Sequence, residues 1–380
     1  MTTLADASWT AESPALANTR RLTYPKPETT SESTHGYVKN MESAVRRGQE
    51  AVKAMLPLKY EGYEPNVIYT HPGWGDALFM KDIFPAAKVV SLLEYFYHPR
   101  GADVGFDPEF PLSFDDIFRL RILNSVQLHA LQSSDRLISP TTWQRSRYPA
   151  AYHSRIDVLH EGIDTKLVAP NPQAALSLTN GLTLRAGDEV LTYVSRGLEP
   201  YRGFHSFMRA LPAILRERPE CRVLIVGDDK PSYGPAPKQA ASWRQLYLDE
   251  LAGQIDLERV FFLGALPYDQ YLTVLQVSRV HLYLTYPFIL SWSMLEAMSA
   301  GCLVIGSDTA PVQEVLFHQY NGMICPFFEP DTIAAQVSDA LANPASYQAL
   351  RERARSFVIQ NFDFESIVFP KHLSLLASLA

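Results

Sequence analysis

Tyr283-Leu-Thr-Tyr-Pro-Phe-Ile-Leu-Ser-Trp-Ser-Met-Leu-Glu-Ala-Met-Ser-Ala-Gly-Cys-Leu-Val-Ile-Gly306 runs as an apolar strand, a short loop, a helix, a glycine stop and a second apolar strand. Glu296 is the only charged side chain in it. Open α/β sheets bind ligands beyond the carboxyl ends of their parallel strands, and this carboxylate belongs to a helix that starts at such an end. There it has the chemistry to accept two hydroxyl hydrogen bonds, as from a ribose or a sugar. Ser293-Met-Leu-Glu296 also has the spacing of a capping box, which only closes a helix N-terminus. On spacing alone the box is the more frequent arrangement, and both readings stand.

The strand–helix alternation extends outward from this stretch. Val190-Ser195, Arg222-Gly227, Val260-Gly264, Val280-Thr285 and Leu303-Gly306 are short runs rich in Val, Ile, Leu, Phe and Tyr. Helical stretches such as Phe204-Arg218, Ala241-Ile255 and Tyr268-Val277 separate them. Near-continuous apolar strands between amphipathic helices predict a parallel sheet covered on both faces. The first half repeats the rhythm less regularly, with strands at Val67-His71, Lys88-Leu93, Arg136-Ser139 and Ile156-Leu159 and helices at Thr34-Leu58, Trp74-Phe84 and Phe114-Ser133. The expected layout is a polar, poorly ordered segment 1–33 and a first Rossmann-like domain over 34–165. A linker over 166–187 follows, then a second Rossmann-like domain over 188–362 and a terminal helix 363–380 packing back on the first.

Composition narrows the function. At 380 residues and 47% apolar content the chain can bury cores for about two domains. A net charge of -7 argues against a general nucleic-acid binder. No apolar run is long enough to span a bilayer, and the first residues lack a basic region followed by an apolar stretch. Cys221, Cys302 and Cys325 sit in apolar contexts and read as reduced, buried thiols, which fits the cytoplasm. The histidines are scattered, and no Asp-x-Asp, His-Glu-x-x-His or Cys-x-x-Cys occurs, so no metal is expected.

A second motif opens the second domain: Val194-Ser-Arg-Gly-Leu-Glu-Pro-Tyr-Arg-Gly-Phe204. Arg196 and Arg202 share one loop, and Gly203 leads into a helix. Two guanidinium forks beside a helix N-terminus suit a diphosphate. The alternative is a solvated loop in which Arg202 pairs with Glu199. Together these motifs resemble GT-B glycosyltransferases of the retaining family 4 type. Ser195-Arg196 through Arg202-Gly203 is similar to that family's G-R-x-x-x-x-K-G loop, and Leu295-Glu-Ala-Met-Ser-Ala-Gly301 to its L-E-A-M-A-x-G motif. His160-Glu-Gly-Ile-Asp164 is similar to the P-N-G-V-D at the domain join, and Ala310-Pro-Val-Gln-Glu314 with Asn321-Gly322 to its G-x-P-E-V…N-G-x-L segment.

The resemblance implies two Rossmann-like domains facing across a cleft. It implies that Arg196 and Arg202 hold a donor diphosphate beside Gly203, and that Glu296 binds the ribose. Leu290, Ser291, Trp292 and Ser293 would lie near the sugar and its phosphate, and Gly264 near the base. Glu94, at a strand end where relatives place a histidine, is the candidate catalytic group on the acceptor side. The implied reaction is metal- and cofactor-free retaining transfer from a nucleotide-diphosphate sugar, UDP-linked ahead of GDP-linked. The acceptor would be a carbohydrate, lipid-linked or other hydroxyl. Two departures stand out. Phe288 occupies the position of the family's first motif glutamate, and the usual opening strand and glycine loop are missing. The first domain is therefore expected to be incomplete, from an N-terminally shortened form, with a sheet edge open to self-association. Peripheral membrane contact is compatible with this picture. So are two other functions: a catalytically impaired nucleotide-sugar-binding protein and a sugar-nucleotide epimerase.

Overall fold

The computed structural model describes residues 1–8 and 18–379. Two compact units form: residues 1–160 with 371–380, and residues 161–370. Each is built round a parallel sheet, giving two Rossmann-like α/β domains.

In the first unit, segment 1–33 contains more structure than its polar composition suggests. β1 (Thr2–Asp6) and β2 (Arg20–Tyr24) pair in parallel as a separate two-stranded sheet. Leu4, Leu22 and Tyr24 bury against Ala51, Met55 and Leu58 of the helix Lys39–Tyr60, which accounts for the pairing in apolar contact. The intervening stretch 9–17 lies outside the described residues. β3 (Val67–Thr70), β4 (Lys88–Leu92), β5 (Arg136–Ser139) and β6 (Ile156–Val158) form a four-stranded parallel sheet in chain order. The helix expected over 114–133 is two, Phe114–Leu123 and Ser125–Ser133. Between them Asn124 accepts from the Tyr97 amide and donates to the Tyr97 carbonyl, both at 2.9 Å, so its side chain is committed to another segment. The expected helix over 74–84 is a 3-10 turn, Pro72–Trp74, and one short helix, Met80–Ile83.

The expected linker belongs to the second unit. β7 (Ala175–Ser177) and β8 (Thr183–Arg185) form an antiparallel hairpin. Leu176, Leu182 and Leu184 pack it on Val190, Leu224 and Val274. An apolar face on alternate residues holds it there, despite the turn residues Asn180 and Gly181.

β9 (Val190–Gly197), β10 (Arg222–Asp228), β11 (Val260–Gly264), β12 (Val280–Tyr283), β13 (Leu303–Ser307) and β14 (Met323–Cys325) form the main sheet of this unit. Its order is β11-β10-β9-β12-β13-β14, and every pairing is parallel. The chain builds outward from β9 to β11, then returns to lay β12 on the other side of β9. The strand order therefore reverses between β9 and β12.

The tail also divides differently from expectation. Asp363 stays in the second unit, its backbone bridged to Ile163, and only residues 371–380 join the first. There Leu375, Leu376 and Leu379 cover Val90, Ile138 and Leu159. No helix among the described residues is long and apolar enough to cross a membrane.

Candidate active site

Arg196 is exposed and lies within β9, which runs two residues past the expected end at Ser195. It therefore does not share the loop of Arg202; that loop starts after Gly197. It turns through a 3-10 segment, Pro200–Arg202, and enters the helix Phe204–Glu217 at Gly203. Gly203 has φ 67°, and a Cβ there would lie 2.3 Å from the Leu284 Cβ. Backbone conformation and the close approach of the β12 loop both demand glycine.

Arg202 is buried, at 6% exposure. Its Nη1 donates to Thr285 Oγ1 at 2.9 Å, to the Ile289 carbonyl at 2.9 Å and to the Tyr283 hydroxyl at 3.2 Å. The guanidinium carbon stands 5.1 Å from the Tyr233 ring centre and 5.6 Å from that of Phe288. Phe288 is itself buried and meets Tyr201 edge-on. Where the resemblance implies a glutamate, an aromatic ring packs against a buried cation. Glu199 is also buried, and its carboxylate accepts from the amides of Ser232, Tyr233 and Gly234. Burial pushes its pKa up, while those three amides and Arg202 pull the other way.

The loop after β12 lies alongside. The Tyr286 amide donates to the Tyr201 carbonyl at 2.9 Å, stitching the two loops together. The Tyr283 hydroxyl also accepts from the Ser291 amide at 2.8 Å. Ser291 then caps the helix Trp292–Ser299, its Oγ accepting from the Ser293 amide. Leu290 and Ser293 are buried, while Trp292 is half exposed.

The cap position settles the role of Ser293-Met-Leu-Glu296. Ser293 lies inside the helix, so the four residues do not form a capping box. The Glu296 carboxylate instead accepts from the hydroxyls of Tyr268 and Tyr271, each at 2.6 Å. Both tyrosines lie on the helix Tyr268–Val277, which follows β11, the last residue of which, Gly264, has φ 68° and open space where a Cβ would stand. Spacing of three residues puts both hydroxyls on one helix face. That spacing was the available signal for them in the sequence.

In the first unit Glu94 lies just beyond β4 and is exposed. Its Oε2 is 3.0 Å from His71 Nε2, at the end of adjacent β3. His71 Nδ1 is buried and has no hydrogen-bond partner among the described residues. His71 belongs to the Thr70-His-Pro-Gly-Trp-Gly75 loop, and the adjacency of β3 and β4 is what brings it to Glu94. The sequence therefore marks each strand end, and the sheet pairs them.

Residues 6–168 match the model of the glycosyl transferase family 4 group, and residues 179–357 that of the glycosyl transferases group 1. The chain is 24% identical over 233 residues to a D-inositol 3-phosphate glycosyltransferase of Segniliparus rotundus, covering 60% of this chain and 49% of that protein. It is 25% identical over 251 residues to a glycogen synthase of Mycobacterium tuberculosis, covering 64% and 55%. It thus spans about half the length of the curated relatives it matches. The fold is similar to that of Anabaena HepE, solved in complex with UDP and glucose, with a TM-score of 0.66 at 18% identity over 94% of this chain and 86% of that one. It is equally similar to sucrose-phosphate synthase of Thermosynechococcus elongatus, with a TM-score of 0.66 at 20% identity over 100% and 89%. With one family model on each half and solved folds of the same architecture, the chain belongs to the GT-B glycosyltransferases of the family 4, group 1 type.

Proposed function

We propose that this chain transfers a glycosyl group from a nucleotide-diphosphate sugar to an acceptor hydroxyl, with retention and without a metal. The observation that carries the reading is the position of the two motif loops. They leave β9 and β12, which flank the reversal of strand order, and that crevice is where doubly wound sheets bind nucleotides. Arg196 is the exposed guanidinium of the pair and meets the diphosphate. Arg202 positions both loops from within. As the glycosidic bond to phosphate breaks, negative charge grows on the leaving diphosphate. Arg196 and the first-turn amides of the helix Trp292–Ser299 supply electrostatic stabilisation there. Glu296 takes the ribose hydroxyls, and Glu94, paired with His71, takes the acceptor hydroxyl. UDP ranks ahead of GDP because the HepE structure holds UDP.

Incubation with radiolabelled UDP- and GDP-sugars and a panel of carbohydrate and lipid-linked acceptors tests the reading. Label moving to an acceptor with retained anomeric configuration supports it, and an inverted product contradicts it. A second reading rests on Phe288. With a buried ring where the family's sugar-binding glutamate stands, the chain would bind a donor without transferring it. Saturable nucleotide binding with no turnover across the panel would favour that alternative.

A further inference from the structure

The carboxylate assigned to the ribose already has two hydroxyl partners from its own chain. Tyr268 donates to Glu296 Oε1 and Tyr271 to Oε2. The two tyrosines differ sharply in setting. Tyr271 is 9% exposed and packs in the core with Leu295 and Met298, whereas Tyr268 is 49% exposed. Glu296 is itself only 7% exposed. Tyr268 is thus the outer partner, the one a ligand can replace without opening the core. Burial, and then the carboxylate beside it, push the Tyr268 hydroxyl well above its ordinary pKa, so it remains a donor throughout the physiological range.

The geometry points to Tyr268 as a latch on Glu296: its hydroxyl holds the carboxylate in the free protein and is exchanged for the ribose diol when a nucleotide binds. This rests on the donor reading above. The exchange swaps one hydroxyl donor for another on the same oxygen, so no charge is left unpaired at either end. Its helix follows the open turn at Gly264, where φ is 68° and a Cβ would meet no heavy atom within 4 Å. A nucleotide without ribose hydroxyls has nothing to exchange for the Tyr268 bond and leaves it in place, so the latch opposes only ribonucleotides.

The test is calorimetric titration of the full chain and of Tyr268→Phe with UDP, GDP and their 2′,3′-dideoxy counterparts, with thermal unfolding as a check on folding. Phenylalanine keeps the ring and removes the competing hydroxyl. The expected result is about two- to tenfold tighter binding of the ribonucleotide by Tyr268→Phe, with the dideoxy nucleotide unchanged. Equal or weaker ribonucleotide binding by the variant, while the parent binds, overturns the latch and leaves the donor reading intact. An equal gain for both nucleotides overturns it as well, since it would mean a general opening of the site. Failure of the parent to bind either UDP or GDP overturns the donor reading and the latch together.

Discussion

Arg202 Nη1 and the Ile289 carbonyl meet at 2.9 Å, although the two residues lie in loops that leave different strands. With Thr285 and Tyr283 on the same nitrogen, Arg202 acts as a clip across the point where strand order reverses. Arg202→Ala leaves several buried acceptors and a cavity, and should lower stability by about 2–4 kcal/mol. Arg202→Lys should fall between, because an ammonium cannot reproduce the planar guanidinium. Urea denaturation of both variants checks this. Unchanged stability with weakened nucleotide binding would return Arg202 to the role of a direct phosphate ligand.

Arg196 should behave in the opposite way. It is exposed, so Arg196→Ala should leave the thermal midpoint unaltered. UDP binding should weaken by roughly 1.5–3 kcal/mol, the range for a hydrogen bond to a charged group. Titration calorimetry beside a melting curve reads both quantities on one preparation.

Glu296 accepts from two tyrosines, so its isosteric replacement has a structural consequence. Glu296→Gln places an NH2 against one of the two hydroxyls, which must turn to accept and gives up its bond to a charged acceptor. A stability loss of about 1–3 kcal/mol is expected, together with weaker ribonucleotide binding. A variant as stable as the parent would show that the tyrosine contacts contribute little.

Acid should destabilise the fold. His281 is fully buried, its Nδ1 2.9 Å from Thr192 Oγ1, and burial lowers its pKa to about 3. Burial, and then His372, lower His160 to about 4. Between pH 6.5 and about 4 the unfolded chain carries protons on both imidazoles that the folded chain does not, so stability falls as pH falls. Asp76 has the opposite sign. Burial raises it to about 6, so the folded carboxyl keeps a proton the unfolded chain has released, and acidification through that window adds stability. Glu199, also raised by burial, has the sign of Asp76. Asp135 and Asp363, held low by their hydrogen bonds, side with the two histidines, and the balance is a net loss. Thermal midpoints from about pH 7.5 to about 4.5 should decline, with a shallower slope in His281→Asn. A midpoint that rises on acidification would contradict the assignment.

The second unit was legible because its sheet is buried on both faces. Its strands read as apolar runs, and the reversal of order puts both motif loops at one edge. What the sequence left open were pairings across elements. Glu296 has the spacing of a capping box, and only the N-cap at Ser291 and the hydroxyls of Tyr268 and Tyr271 decide against it. Phe288 reads in the sequence only as a missing glutamate, and its packing on Tyr201 and Arg202 is a pairing that spacing does not reveal. The 175–185 hairpin was hidden because Asn180 and Gly181 signal a turn more strongly than short alternating leucines signal strands. In the first unit, helix boundaries shifted where a side chain bound another segment, as Asn124 binds Tyr97.

The loops after β9 and β12 receive a nucleotide diphosphate in this account, and hydrogen–deuterium exchange of the full chain, with and without saturating UDP or GDP, tests that most directly. Slower exchange is expected in 195–204, 264–268 and 289–296, with the loops after β3 and β4 unaffected by nucleotide alone. Protection confined to other segments, or no change with either nucleotide, would contradict the account.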